Sequence, residues 1–156
     1  MKSPRRSLAI ALVALSPLVL AGCEKPYPGV TVWSGTSSEH VAALCWQPEE
    51  VGGLTAKECA QDVLDTAGSG QGIAAIEVAP GETVGISVDP VVAEGGWSVT
   101  IGGRPLDYAS NLTDTYSRFT FPEEVVAEGP GYTLQVIAAA KPNGARGYWF
   151  FQLVPR

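Results

Sequence analysis

The sequence predicts an all-β fold, a sandwich of about eight short strands with one short helix. Three observations carry that expectation. Apolar and polar residues alternate with a period of two through most of the chain, turn-forming pairs recur between the alternating runs, and a single segment shows helical spacing.

The first strand is expected over residues 30–34, the next over 40–46 and a third over 73–79. In residues 83–88, Val84, Ile86 and Val88 fall on one face, and residues 97–101 alternate in the same way. Residues 116–121 put Phe119 and Phe121 inward and leave Tyr116 and Arg118 outside. Tyr132, Leu134, Val136 and Ala138 share a face opposite Thr133, Gln135 and Ile137. In the closing strand Trp149, Phe151 and Leu153 oppose Tyr148, Phe150 and Gln152. Pro80-Gly81, Gly95-Gly96, Gly102-Gly103, Pro130-Gly131 and Pro142-Asn143-Gly144 separate these runs, since proline presets φ and glycine tolerates positive φ. Thr55-Ala56-Lys57-Glu58 reads as a capping box. Ala56, Cys59, Ala60, Val63 and Leu64 then fall on one helical face, which predicts a helix of two to three turns with Cys59 on its buried side. Residues 65–72, which include Gly68-Ser69-Gly70-Gln71-Gly72, follow as a flexible loop.

Eight strands at this spacing, with Tyr132-Thr133-Leu134 opening a late strand, resemble the immunoglobulin-like class. There a tyrosine near the start of the sixth strand forms a corner. The resemblance implies two packed antiparallel sheets with Greek-key connections. The cysteines depart from the antibody pattern, because Cys45 and Cys59 lie too close in sequence to bridge the two sheets in the usual way.

The N-terminus carries an address. Lys2, Arg5 and Arg6 precede an apolar run of about 14 residues, which is shorter than the roughly 20 a spanning helix needs and is interrupted by Pro17. Leu20-Ala21-Gly22-Cys23 resembles the bacterial lipobox. That resemblance implies a signal peptide over 1–22, a diacylglyceryl group on the Cys23 sulfur and cleavage before Cys23. Arg5-Arg6-Ser7-Leu8 is similar to part of a twin-arginine signal but lacks its aromatic, so the general secretory route is expected. Residues 23–29, with Pro26 and Pro28, then serve as lipid anchor and extended tether, and 30–156 as the sandwich domain. Two acyl chains anchor stably where one does not. The expected location is therefore the extracytoplasmic face of the cell membrane, lipid-anchored.

Removing Lys2, Arg5 and Arg6 from the ten basic residues leaves seven against sixteen acidic ones, a formal charge of −9. Such a body repels phosphate backbones, which argues against nucleic acid as a partner. With Cys23 assigned to lipid, Cys45 and Cys59 remain as an even pair in an oxidising compartment and are read as a disulfide. A metal site is not supported: the pair is not C-x-x-C spaced, His40 is the sole histidine, and no H-E-x-x-H or EF-hand loop occurs. No cofactor motif is present. Gly68 to Gly72 lacks the Lys-Ser/Thr ending of a phosphate loop, and the Asn111-Leu112-Thr113 sequon is read as fortuitous.

Catalytic chemistry finds little support. Glu39 and His40 are neighbours on a strand and point to opposite faces, so Glu39 cannot orient the imidazole. Glu49-Glu50 and Glu123-Glu124 follow Pro48 and Pro122 and read as solvated loops. What remains is outward aromatic surface: Tyr148, Phe150, Tyr116 and Arg118 form the candidate binding face, because exposed aromatics and arginine are enriched at hot spots. The expected function is a non-catalytic binding or scaffolding module in the envelope. Its partner is the membrane, through the lipid, together with an unidentified envelope protein or polymer. The alternative is an envelope hydrolase whose carboxylates are brought together by the fold. Taken together, the lipobox, Cys45-Trp46, Pro80-Gly81-Glu82-Thr83 and Tyr148-Trp149-Phe150-Phe151 resemble small actinobacterial lipoproteins, a domain family of unknown function, and that resemblance implies no mechanism.

Overall fold

A computed structural model describes residues 25–49, 51–55, 58–71, 73–106, 109–123 and 131–156. Cys23 and the expected signal peptide lie outside the described residues. The chain forms β1 (Gly29–Ser34), β2 (Ser37–Ala42), β3 (Cys45–Trp46), α1 (Gln61–Gly68), β4 (Ala74–Val78), β5 (Thr83–Val88), α2 (Pro90–Gly95), β6 (Trp97–Ile101), β7 (Arg104–Pro105), β8 (Tyr116–Thr120), β9 (Tyr132–Ala139) and β10 (Ala145–Pro155). One sheet has the order β2-β1-β5-β8. The other runs β3-β10-β9-β6-β7, with β4 also on β10. Between them lie the inward residues of the alternating strands: Val30, Val32, Val84, Ile86, Trp97, Val99, Leu134, Val136, Trp149, Phe151 and Leu153 are all essentially inaccessible.

From β4 onward the connectivity is the immunoglobulin one. β5 pairs with β8 in one sheet, while β6, β9 and β10 pair in sequence in the other, as strands B with E and C with F with G do. β7 adds to β6 as a short C′ strand, and β4 runs parallel to β10. Trp97 is buried on the C-equivalent strand, its Nε1 donating to the Asp114 carbonyl at 2.8 Å. Tyr132 opens the F-equivalent strand, its ring edge-on to Phe121 at 5.9 Å. Leu134, two residues on, occupies the place of the second antibody cysteine and fills it with apolar volume.

Four local expectations are corrected: the single strand over 40–46, the position of the helix, the number of helices and the end of the tether. The run 40–46 is two strands, because the chain changes sheets at its middle: Ala43 N–H donates to the Pro28 carbonyl beside β1, and Leu44 N–H to the Tyr148 carbonyl on β10. The helix is displaced toward the C-terminus. Thr55 and Glu58 close one turn, with Thr55 N–H donating to Glu58 Oε2 at 2.8 Å, but Ala60 is extended and the helix begins at Gln61. Cys59 therefore precedes the helix rather than lying on its buried face, Val63 points to solvent, and 65–68 are helical rather than loop. Asp62 in the first turn suits the positive end of the helix dipole. The second helix, α2, follows from Asp89-Pro90, since proline at the first helical position has a suitable φ and no amide to leave unpaired. β1 also starts inside the stretch assigned to the tether: Gly29 N–H donates to Asp89 Oδ2 at 2.7 Å, and the Pro28 carbonyl accepts from Trp149 Nε1 at 3.0 Å.

The disulfide joins Cys45 and Cys59, Cα atoms 5.4 Å apart. It ties the segment before α1 to the short edge strand β3.

Candidate functional site

The outer face of the four-stranded sheet is built from the positions that alternate with its core residues. Val30, Val32 and Ser34 point inward on β1, so Gly29, Thr31 and Trp33 point outward, and the register carries this assignment across the sheet. One row reads Ser38, Trp33, Gly85, Arg118. The next reads His40, Thr31, Ser87, Tyr116.

Two glycines shape the surface. A Cβ at Gly85 would fall within the Trp33 indole, and a Cβ at Gly29 within the His40 imidazole. Each ring therefore leans across onto the neighbouring strand and fills the space left by a missing side chain. Aromatic cover over a strand glycine stabilises a sheet. Here it also lays the rings down against the backbone while Trp33 stays half-buried and His40 exposed. His40 Nδ1 is 2.9 Å from Thr31 Oγ1, and Glu39 belongs to the opposite face of β2, opposed to Val32. Tyr116 is 42% exposed, and Arg118 is exposed with no salt-bridge partner among the described residues.

The charge of this face differs from that of the chain. The outward strand positions carry Ser, Thr, Trp, His, Tyr and Arg and no carboxylate. Glu39 and Asp114 are exposed at its margins, and two further flanking acids are engaged. Asp89 accepts from Gly29 N–H, and Glu82 accepts from Ala79 N–H at 2.8 Å and from Arg156 at 3.0 Å. The Ala79 amide, with Arg156 beside it, holds the Glu82 carboxyl below its ordinary value.

Tyr148 and Phe150 lie elsewhere, on the outer face of the larger sheet. Their rings stack at 6.3 Å. α1 borders them, Gln61, Leu64, Asp65 and Gly68 lining a cleft with both rings and the Gly68 carbonyl accepting from Thr133 Oγ1 at 3.0 Å. Phe150 is 6% exposed, so it is outward from the sandwich yet covered. Tyr148 remains half-open at the floor of a cleft of about 460 Å³ rimmed by Gln61, Asp65 and Gln135. Burial pushes the Tyr148 phenol up.

The four residues of the expected face thus divide into two pairs on opposite sides of the molecule. Sequence reasoning missed Trp33 and His40 as companions of Tyr116 and Arg118. The alternation of β1 already put Trp33 outward, but only the pairing of β1 with β5 and of β5 with β8 brings it to Arg118. Among the described residues no group of three His, Cys, Asp or Glu side chains is placed to hold a metal ion, and no helix is long and apolar enough to cross a membrane. No protein-family model matches the chain, and no curated protein matches it in sequence.

Proposed function

We propose that the protein is a membrane-anchored extracytoplasmic lipoprotein that acts as a non-catalytic binding or scaffolding module of the cell envelope, with the outer face of the four-stranded sheet as its capture surface. The supporting observation is that face itself: among the described residues it presents an indole and a phenol, an arginine without a salt bridge and several hydroxyls, and no acid at an outward strand position in a chain that has sixteen. Large aromatics and arginine contribute most of the binding energy where they contribute any. The anchoring half of the reading rests on Leu20-Ala21-Gly22-Cys23 after an apolar run.

Crosslinking in the native envelope tests the binding half. Trp33→Ala and Tyr116→Ala are expected to reduce crosslinked partners while thermal unfolding stays cooperative. Unchanged crosslinking in both folded variants removes this face from the reading. Mass spectrometry of the mature N-terminus tests the anchor. Acyl chains on Cys23 are expected, with Cys23→Ser unprocessed or released, and an unmodified Cys23 in membrane-extracted protein overturns the anchor.

A further inference from the structure

We infer that this face binds an acidic polysaccharide, with sugar faces lying on Trp33 and Tyr116 and a sugar carboxylate meeting Arg118; the inference rests on the reading of the face as the capture surface. The ring orientation comes first. A pyranose presents a face of C–H bonds that packs against the flat of an aromatic ring, and Gly85 lets the Trp33 indole lie along the sheet instead of standing upright from it. An upright indole would offer an edge, suited to an enclosed pocket rather than to an open chain.

Spacing comes second. Trp33 and Tyr116 stand two strands and one outward row apart. With the indole lying over Gly85, one strand and one outward row from Tyr116, strands about 4.8 Å apart and a rise of about 3.4 Å per residue put it on the order of 8 Å from the Tyr116 backbone. One sugar ring does not cover that distance, whereas a chain of sugars does. Thr31 and Ser87 fill the interval with hydroxyls that both donate and accept, which matches a hydroxyl-rich ligand.

Charge decides between neutral and acidic chains. Arg118 is exposed, has no salt-bridge partner among the described residues and sits in the row of Trp33, on a face without carboxylates. A guanidinium fork receives a carboxylate through two parallel hydrogen bonds. Nucleic acid fits poorly, because its binding draws chiefly on many neutralised phosphates and this face offers a single outward strand arginine. A sugar chain is instead held mainly by ring stacking and hydroxyls, with one carboxylate met by Arg118. An added peptide strand would pair along the edges of β2 or β8 and leave the rings unused.

The test titrates the full lipidated chain in detergent micelles with polygalacturonate, dextran and polyglutamate by calorimetry, with thermal unfolding of every variant alongside. Polygalacturonate is expected to bind, dextran about tenfold more weakly for want of a charge-assisted hydrogen bond, and polyglutamate not at all. Arg118→Gln should lower polygalacturonate to the level of dextran. Gly85→Ala, which keeps every aromatic but lifts the indole, should weaken both sugars, as should Trp33→Ala. If Trp33→Ala fails to fold, Gly85→Ala and the exposed-site variant Tyr116→Ala carry the same comparison. Binding of polyglutamate equal to that of polygalacturonate, no binding of either polysaccharide, or full binding by the folded variants overturns the inference. Should the polysaccharides fail while Trp33→Ala and Tyr116→Ala still lose their crosslinks in the envelope, the ligand class falls and the capture surface stands. Should the crosslinks also persist, both fall.

Discussion

Glu82 and Phe150 show how single side chains take their roles from neighbours remote in sequence. Glu82 sits in the turn between β4 and β5, where the Ala79 amide and the Arg156 guanidinium both favour its charged form. A carboxyl whose folded pKa is depressed binds fewer protons when folded than when unfolded. Its stabilising effect is therefore complete above the unfolded value and lost as pH falls through the folded one. The melting temperature of Glu82→Gln should lie below that of the wild type at neutral pH, and the gap should close as the solution is acidified below the ordinary carboxylate range. A gap independent of pH contradicts this account. Phe150 and Tyr148 stack on each other yet differ in cover, Phe150 being buried beside Leu44, Ala67 and Ala74 and Tyr148 half-open. Truncating a buried aromatic typically costs about 3–5 kcal/mol. Chemical denaturation should show Phe150→Ala losing an amount of that order and Tyr148→Ala clearly less. Equal losses would show that the deeper burial of Phe150 adds nothing to its contribution.

At the scale of elements, the disulfide acts at the periphery. It links β3, a two-residue edge strand, to the segment before α1, and closes a sequence separation of 14. A loop of that length is expected to contribute about 3 kcal/mol by restricting the unfolded chain. None of the strands β5, β6, β8 and β9 is touched by the link. Reduction should therefore lower the melting temperature while leaving the far-ultraviolet signature of β structure intact. Loss of β signal on reduction would mean that β3 and α1 organise the sheet rather than decorate it. The same peripheral position explains the shift of the helix. Cys59 is held at β3, so the chain must leave that point extended at Ala60 before it can turn into α1.

For the whole molecule, the distance of the sandwich from the proposed lipid anchor follows from where the fold takes hold of the chain. Pro28 and Gly29 are already bound to Ala43, Trp149 and Asp89, so only residues 24–27 separate Cys23 from the domain. Five Cα steps of at most about 3.6 Å span roughly 18 Å. With Cys23 lipidated, neutron reflectometry on a supported bilayer should find protein density beginning within about that distance of the headgroups. A water-filled gap several times larger is incompatible with the hydrogen bonds at Pro28.

The all-β class, the inward faces of β5, β6, β8, β9 and β10, and the partnership of Cys45 with Cys59 were legible in the sequence. Each follows from local alternation or from counting, and alternation reports which side of a strand is apolar whatever that strand pairs with. Tertiary structure decided the rest. The break at Ala43–Leu44 exists because two sheets compete for consecutive amides, and α1 starts at Gln61 because of a distant edge strand. The expected face divided because Tyr116 with Arg118 and Tyr148 with Phe150 belong to different sheets. Trp33 came to lie over Gly85, in the row of Arg118, through strand register. That register is set by long-range pairing between segments some fifty and thirty residues apart, which no local pattern encodes.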